Sequence, residues 1–345
     1  MHILLALAFA APGDYRDWID AVKAPNYFNP ADAANTFASF KHKARDAKSV
    51  ASASNVSSLL DFAPVSVENG FILLDQFTKD AGAALGAESV ARDALDALGA
   101  MTAKQVMQKT KYGLLNMEKP TLNKMMADKA REVRDTVAHA MLQGKPNGTL
   151  HELLTQDLDV VLHRKKRAHA VGVYLGKAGG GRFRLPANLT LPDDVDVVVH
   201  TYKNGAGAWG DGDGAFEVRS PVVGLSLRRL NGTKITVQGL AQAISIRIPN
   251  TTSATVGNCA WWKQEDATWS TSGCTRSATP ANDTLGEECL CTHLTEFALV
   301  ADSAATLTST TAAPVESESE LSGGELAGIA VGSAAVTYAG VSYAM

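Results

Sequence analysis

From about residue 14 to residue 160 the apolar positions recur at helical spacing, and from Ala168 onward the period falls to two. Val90, Ala94 and Leu98 share one helical face, as do Leu122, Met126, Ala130, Val133, Val137 and Met141. Pro120 suits the first turn of the later helix, and Gly144 follows its end. Small aliphatic stripes of this kind predict an antiparallel bundle. Met101, Met107, Met117, Met125 and Met126 read as adaptable core filler in it, not as a ligand set. The candidate strands are Ala168–Leu175, Val195–Tyr202, Val222–Leu230, Lys234–Val237 and Ala243–Ile248. In the last of these Ile244, Ile246 and Ile248 face one way, and Ser245 and Arg247 the other. Helices first and antiparallel strands second is an α+β arrangement.

The breaks between these elements carry little chemistry. Arg164-Lys-Lys-Arg167 reads as a solvated basic turn or a protected strand edge rather than a processing site. The glycine-rich stretches at 179–181 and 205–214 lack the Gly-Lys-Ser/Thr and following helix of a phosphate loop. Asp211-Gly-Asp213-Gly has no glutamate at the twelfth position of a calcium loop, so it reads as a hairpin loop. No metal or cofactor is expected. The net charge of −4 gives no ground for nucleic-acid binding.

Both ends suggest export. Residues 1–11 have the apolar run and Ala-x-Ala ending of a signal peptide. Sequons at Asn55, Asn147, Asn188, Asn231, Asn250 and Asn282 are glycosylation candidates, although Asn-Gly also marks hairpins. Residues 303–325 read as a Ser/Thr-rich stalk. Residues 326–345 are twenty uncharged positions, long enough to span a bilayer, with Gly328 and Gly332 at helix-packing spacing. Three readings of that segment are ranked in order: the first transmembrane helix of a longer protein, a tail anchor, and a lipid-anchor signal near Ser322-Gly323-Gly324.

All four cysteines lie within 259–302. Their spacing of fourteen, fourteen and one intervening residues fits no zinc pattern. Cys289 and Cys291 share one face of a strand, so each reaches a different partner. That leaves Cys259–Cys289 with Cys274–Cys291, or the crossed alternative. Two disulfides imply an oxidising compartment.

Cys259, Trp262, Trp269, Gly273-Cys274, Cys289-x-Cys291, His293-Leu294-Thr295 and Phe297, in that order, resemble the GPS motif. This motif closes the GAIN domains of adhesion G-protein-coupled receptors and polycystin-1-like proteins. The resemblance favours the pairs Cys259–Cys289 and Cys274–Cys291. It implies a helical subdomain A (12–165) followed by a disulfide-stapled antiparallel β-sandwich subdomain B (166–302) that contains the GPS motif (259–302), ahead of a transmembrane-like segment. It further implies a cell-surface or secretory-membrane location with the domain extracellular, and a role in adhesion or signalling.

The same resemblance implies self-cleavage between Leu294 and Thr295. A threonine hydroxyl is a weak nucleophile until a base takes its proton, and a kink would bring His293 to it. Attack on the Leu294 carbonyl would give an ester that water hydrolyses. This is a single intramolecular event, not turnover. The expected partners are the protein's own C-terminal fragment, an extracellular protein or matrix ligand, and a membrane through 326–345. The rival readings are an uncut structural adhesion module and a fragment of a polycystin-1-like channel subunit.

Overall fold

The computed structural model of the protein describes residues 38, 41, 64–103, 119–204, 209, 216–249, 257–277 and 286–302. The expectations for 1–11, 303–325, 326–345, Asn55, Asn250, Asn282, Asp211 and Asp213 lie outside these residues.

Three α-helices precede the sheets among the elements described over their full length: α1 (Pro64–Ala81), α2 (Glu88–Thr102) and α3 (Lys119–Leu142). Each presents one apolar stripe. Phe71, Leu74 and Phe77 on α1, Val90, Ala94 and Leu98 on α2, and Met126, Ala130, Val133, Val137 and Met141 on α3 are all buried. The last two sets are the stripes that the periodicity marks. Both α1 and α2 pack against α3.

Two antiparallel sheets follow. The first has the order β1 (Leu150–Leu154), β2 (Leu158–Lys166), β5 (Asp194–Tyr202), β7 (Val222–Arg228), β14 (Glu296–Asp302), β10 (Asn258–Lys263), β11 (Thr268–Ser270). On it β6 (Phe216–Val218) pairs with β14, and β8 (Lys234–Ile235) pairs with β7. The second has the order β12 (Cys274–Arg276), β13 (Glu287–Cys291), β9 (Ile244–Ile248), β4 (Arg182–Arg184), β3 (Tyr174–Gly176).

The first sheet is covered on both faces. One face joins the helical core through Val198, Tyr202, Val222, Trp262, Ala298 and Val300. The other shares a core with the second sheet through Val197, Val199, Phe183, Ile246, Phe297 and Leu299. The period of two along β14 sorts its residues between these cores. Phe297 and Leu299 face the second sheet, and Ala298 and Val300 face the helices. A strand buried on both sides reads as the continuous apolar run Phe-Ala-Leu-Val.

The structure corrects three expectations. The helices end at Leu142, and residues 150–166, read as helical to about residue 160 by their spacing and placed in subdomain A (12–165) by the resemblance, are the edge of the first sheet. Periodicity cannot separate a short strand from a short helix. Here β2 pairs on both sides, with β1 and with β5. Nor is Arg164-Lys-Lys-Arg167 wholly solvated: Arg164, Lys165 and Lys166 end β2, as the strand-edge reading allowed, and Arg167 opens a short 3₁₀ turn. Arg164 lies in β2 opposite Asp196, buried, and its Nε and Nη2 donate to the Asp196 carboxylate at 2.7 and 2.8 Å. Finally, the strand expected over Ala168–Leu175 begins only at Tyr174, after a short 3₁₀ turn at Arg167–His169.

Candidate functional site

The two disulfides are Cys259–Cys289 and Cys274–Cys291. The first ties β10 of one sheet to β13 of the other. The second joins neighbouring strands, since Cys274 and Cys291 are directly opposite in the β12–β13 ladder. Cys289 and Cys291 point into the inter-sheet core, where both are wholly buried. Trp262 and Trp269 are a cross-strand pair on β10 and β11, with rings edge to face at 5.5 Å, and both cover the helical core. Gly273 takes a left-handed φ of 75° in the turn that delivers Cys274.

Between Cys291 at the end of β13 and Glu296 at the start of β14 the chain crosses from one sheet to the other. It does so as an irregular bend that contains His293, Leu294 and Thr295. Two backbone hydrogen bonds pin the bend to the segment after β8: Leu294 N–H donates to the Val237 carbonyl at 3.0 Å, and Leu240 N–H donates to the Thr292 carbonyl at 3.1 Å. A cavity of about 370 Å³ lies alongside, lined by Arg131, Val237, Trp262, His293, Thr295 and Glu296 among others.

The His293 ring stands edge-on to Trp261, with centroids 4.2 Å apart, and lies 6.0 Å from Phe297. Its Nε2 is buried without a hydrogen-bond partner. Burial pushes its pKa below the ordinary histidine value, so the neutral imidazole is favoured. The Thr295 hydroxyl is held elsewhere than on His293. Its one proton has two acceptors within reach, the Trp262 carbonyl at 3.1 Å and Glu296 Oε2 at 3.3 Å.

Glu296 belongs to a buried charged cluster that joins the strand to helix α3. Arg131 Nε donates to both Glu296 oxygens, at 2.9 and 3.0 Å, and Arg131 Nη2 donates to Oε2 at 2.7 Å. Arg134 Nη1 lies 3.5 Å from Oε1 and 2.9 Å from His200 Nε2. Burial alone would raise the Glu296 pKa. The two guanidinium groups outweigh it and hold the carboxyl well below the usual carboxylate range. Burial and the neighbouring Arg134 both push His200 down, which leaves it neutral and able to accept from Arg134. Asp135 completes the cluster by pairing with both Arg134 and Arg228.

Reading the sequence for motifs missed Arg131, Arg134, His200 and Glu296. The available signals were slight. Glu296 is a charge set directly before the apolar run 297–301, and Arg131 and Arg134 stand three apart beside the buried stripe of α3. Of the expected glycosylation sites, Asn147, Asn188 and Asn231 are described, and all three are exposed. Asn147 Nδ2 donates to Asp194, and Asn231 Oδ1 accepts from the Thr233 amide.

A family model described as GPS, GAIN subdomain B, matches residues 178–305. Among solved structures, the chain is similar to the full extracellular region of zebrafish Gpr126/Adgrg6, at 13% identity and a TM-score of 0.35. That match covers 67% of this chain and 34% of the other, so this chain spans about a third of its length.

Proposed function

With residues 178–305 a GAIN subdomain B that contains a GPS motif, we propose that this protein is an extracellular, membrane-tethered module that cuts its own chain between Leu294 and Thr295. The observation that carries the reading is the bend. A hydroxyl residue and a neutral, partly buried imidazole sit in a bend where the chain crosses between two disulfide-linked sheets, beside a cavity.

The proposed chemistry follows from these groups. As the Thr295 oxygen attacks the Leu294 carbonyl carbon, its proton passes to the unpartnered His293 nitrogen. The new C–O bond gives a tetrahedral intermediate. Its collapse breaks the C–N bond, and the imidazolium returns the proton to the departing Thr295 nitrogen. The product is an ester between the Leu294 acyl group and the Thr295 oxygen. Water hydrolyses it to a Leu294 carboxylate and a free Thr295 amino terminus. The strand that starts there stays in the sheet by its pairing with β7, β10 and β6, so the two fragments remain associated.

A second reading, an uncut structural module, draws on the resting position of the Thr295 hydroxyl on the Trp262 carbonyl. Denaturing electrophoresis of the secreted protein separates the two. Self-cleavage gives two bands, with a new amino terminus at Thr295. Thr295→Ala and Thr295→Val give one band, and Thr295→Ser gives two. A single band from the folded wild-type chain decides for the uncut module. Two bands from folded Thr295→Ala assign the cut to an external protease.

A further inference from the structure

Glu296, the residue after the nucleophile, has a carboxylate oxygen 3.3 Å from the Thr295 hydroxyl. We propose that Glu296 is a positioning residue for the Thr295 hydroxyl, and that Arg131 of helix α3 holds it in that role. The proposal rests on the self-cleavage reading and extends it to a residue outside the His-Leu-Thr triplet.

A threonine hydroxyl has one proton and rotates about a single bond, so its acceptors decide where its oxygen stands. Two acceptors share that proton here, the Trp262 carbonyl and Glu296 Oε2, at 3.1 and 3.3 Å. The first is fixed by the β10 backbone. The second is fixed by three hydrogen bonds from Arg131, a fork that leaves the carboxylate no freedom to rotate away. Glu296 also lies opposite Gly224 in the β7–β14 pair, which sets its height on the sheet. Thr295 thus stands between a backbone acceptor of one strand and a carboxylate clamped by a helix.

Glu296 could be taken for the base itself, since it touches the hydroxyl. The clamp argues against that. A carboxylate bound by two guanidinium groups has its proton affinity suppressed, whereas His293 is neutral with an unpartnered nitrogen. Glu296 therefore orients the oxygen and leaves proton transfer to the imidazole. Because the clamp comes from α3, the helical layer becomes part of the cleavage machinery.

The test uses the full secreted chain in pulse-chase, with fragments resolved on denaturing gels with and without hydroxylamine. Glu296→Gln and Arg131→Met should slow the cut roughly 10- to 100-fold, the scale expected when a reacting group is misplaced. Arg131→Lys keeps a cation on the carboxylate and should recover part of the rate. Hydroxylamine opens an ester but not an amide, so it should not restore cutting in Glu296→Gln, where the ester never forms. The double variant Arg131→Met/Glu296→Met removes both charges together, which spares the fold an unpaired buried ion, and it too should cut slowly. A folded double variant that cuts at the wild-type rate overturns the proposal, as does full rescue by hydroxylamine. If wild type, Glu296→Gln and Thr295→Ala are all folded and uncut, the self-cleavage reading falls and takes this proposal with it. If wild type and Glu296→Gln cut equally while Thr295→Ala does not, only the positioning role falls.

Discussion

The imidazole of His200 occupies the space in which a side chain at Gly224 would stand. A Cβ at Gly224 would lie 2.3 Å from both Cε1 and Nε2 of that ring. The two residues are directly opposite on β5 and β7, and Gly224 is in turn opposite Glu296 on β14. A glycine in the middle of a strand thus makes the room in which a buried histidine meets Arg134 and the strand that begins at residue 296.

Gly224→Ala should therefore destabilise the fold by about 1–3 kcal/mol, the usual cost of forcing an atom into a packed interior. The cost should shrink in the double variant Gly224→Ala/His200→Ala, because the clash is with that ring. Denaturant unfolding of the four proteins measures the coupling. Strict additivity would show that His200 is not what Gly224 accommodates.

Acid should act on the protein in two stages. His200 and His293 are both depressed below 6.5 in the folded chain, so the unfolded chain binds protons first as pH falls through that value, and stability begins to decline there. Glu296 is depressed below 4.5, so its contribution is complete above that pH and is lost as pH falls from there towards its folded value. Unfolding free energy measured from pH 8 to pH 3 should show a shallow slope that steepens below about 4.5. Glu296→Gln should reduce the steeper part, leaving the smaller share of Glu132 and Glu288, which are also held below the ordinary carboxylate value.

Cleavage should tolerate more acid than an ordinary histidine would allow. An unperturbed imidazole would lose activity between about pH 6 and 7. Burial of His293 lowers its pKa, so the neutral base persists below that window. The fall in the cleavage rate of the wild-type chain should be centred below 6.5. A midpoint at or above that value would mean that His293 is not the group that titrates.

Both disulfides should be required for secretion, since losing one typically costs about 2–5 kcal/mol in a secreted domain. Cys259–Cys289 closes the longer loop, with a sequence separation of 30 against 17. Chain entropy makes its loss worse by about 0.5 kcal/mol. It is also the bond that joins the two sheets. Thermal unfolding of Cys259→Ala/Cys289→Ala against Cys274→Ala/Cys291→Ala checks the order.

Removing Arg164 should be costly. Arg164→Ala leaves Asp196 charged, buried and unpaired, at a cost of about 3–5 kcal/mol. Arg164→Met/Asp196→Leu should recover most of it. Arg167 is exposed, but Arg164, Lys165 and Lys166 are paired with β5, so a protease that must draw the whole basic run into its cleft should leave the native chain intact after Arg167. Cleavage there, read by amino-terminal sequencing of the folded protein, would show that β2 opens.

The sequence alone carried what depends on local order. The helical stripes of α2 and α3, the strands at 194–202, 222–228 and 244–248, and the ordered set of Cys, Trp, His-Leu-Thr and Phe were all legible in it, because periodicity and motif spacing are properties of neighbouring residues. The helix-to-strand boundary was not, since only pairing with β1 and β5 makes β2 a strand. Nor was the charge cluster. Arg131 and Glu296 are 165 residues apart, and His200 and Gly224 lie between them in the chain. Each looks ordinary by itself: a helical arginine, a strand glutamate, a histidine, a glycine. Only when the sheet lays β14 beside β7, and α3 covers that face, do they become one buried group touching Thr295. A charge in an apolar strand shows that a partner must exist, because an unpaired buried carboxylate is too costly to keep. Which residue supplies that partner is decided by tertiary packing alone.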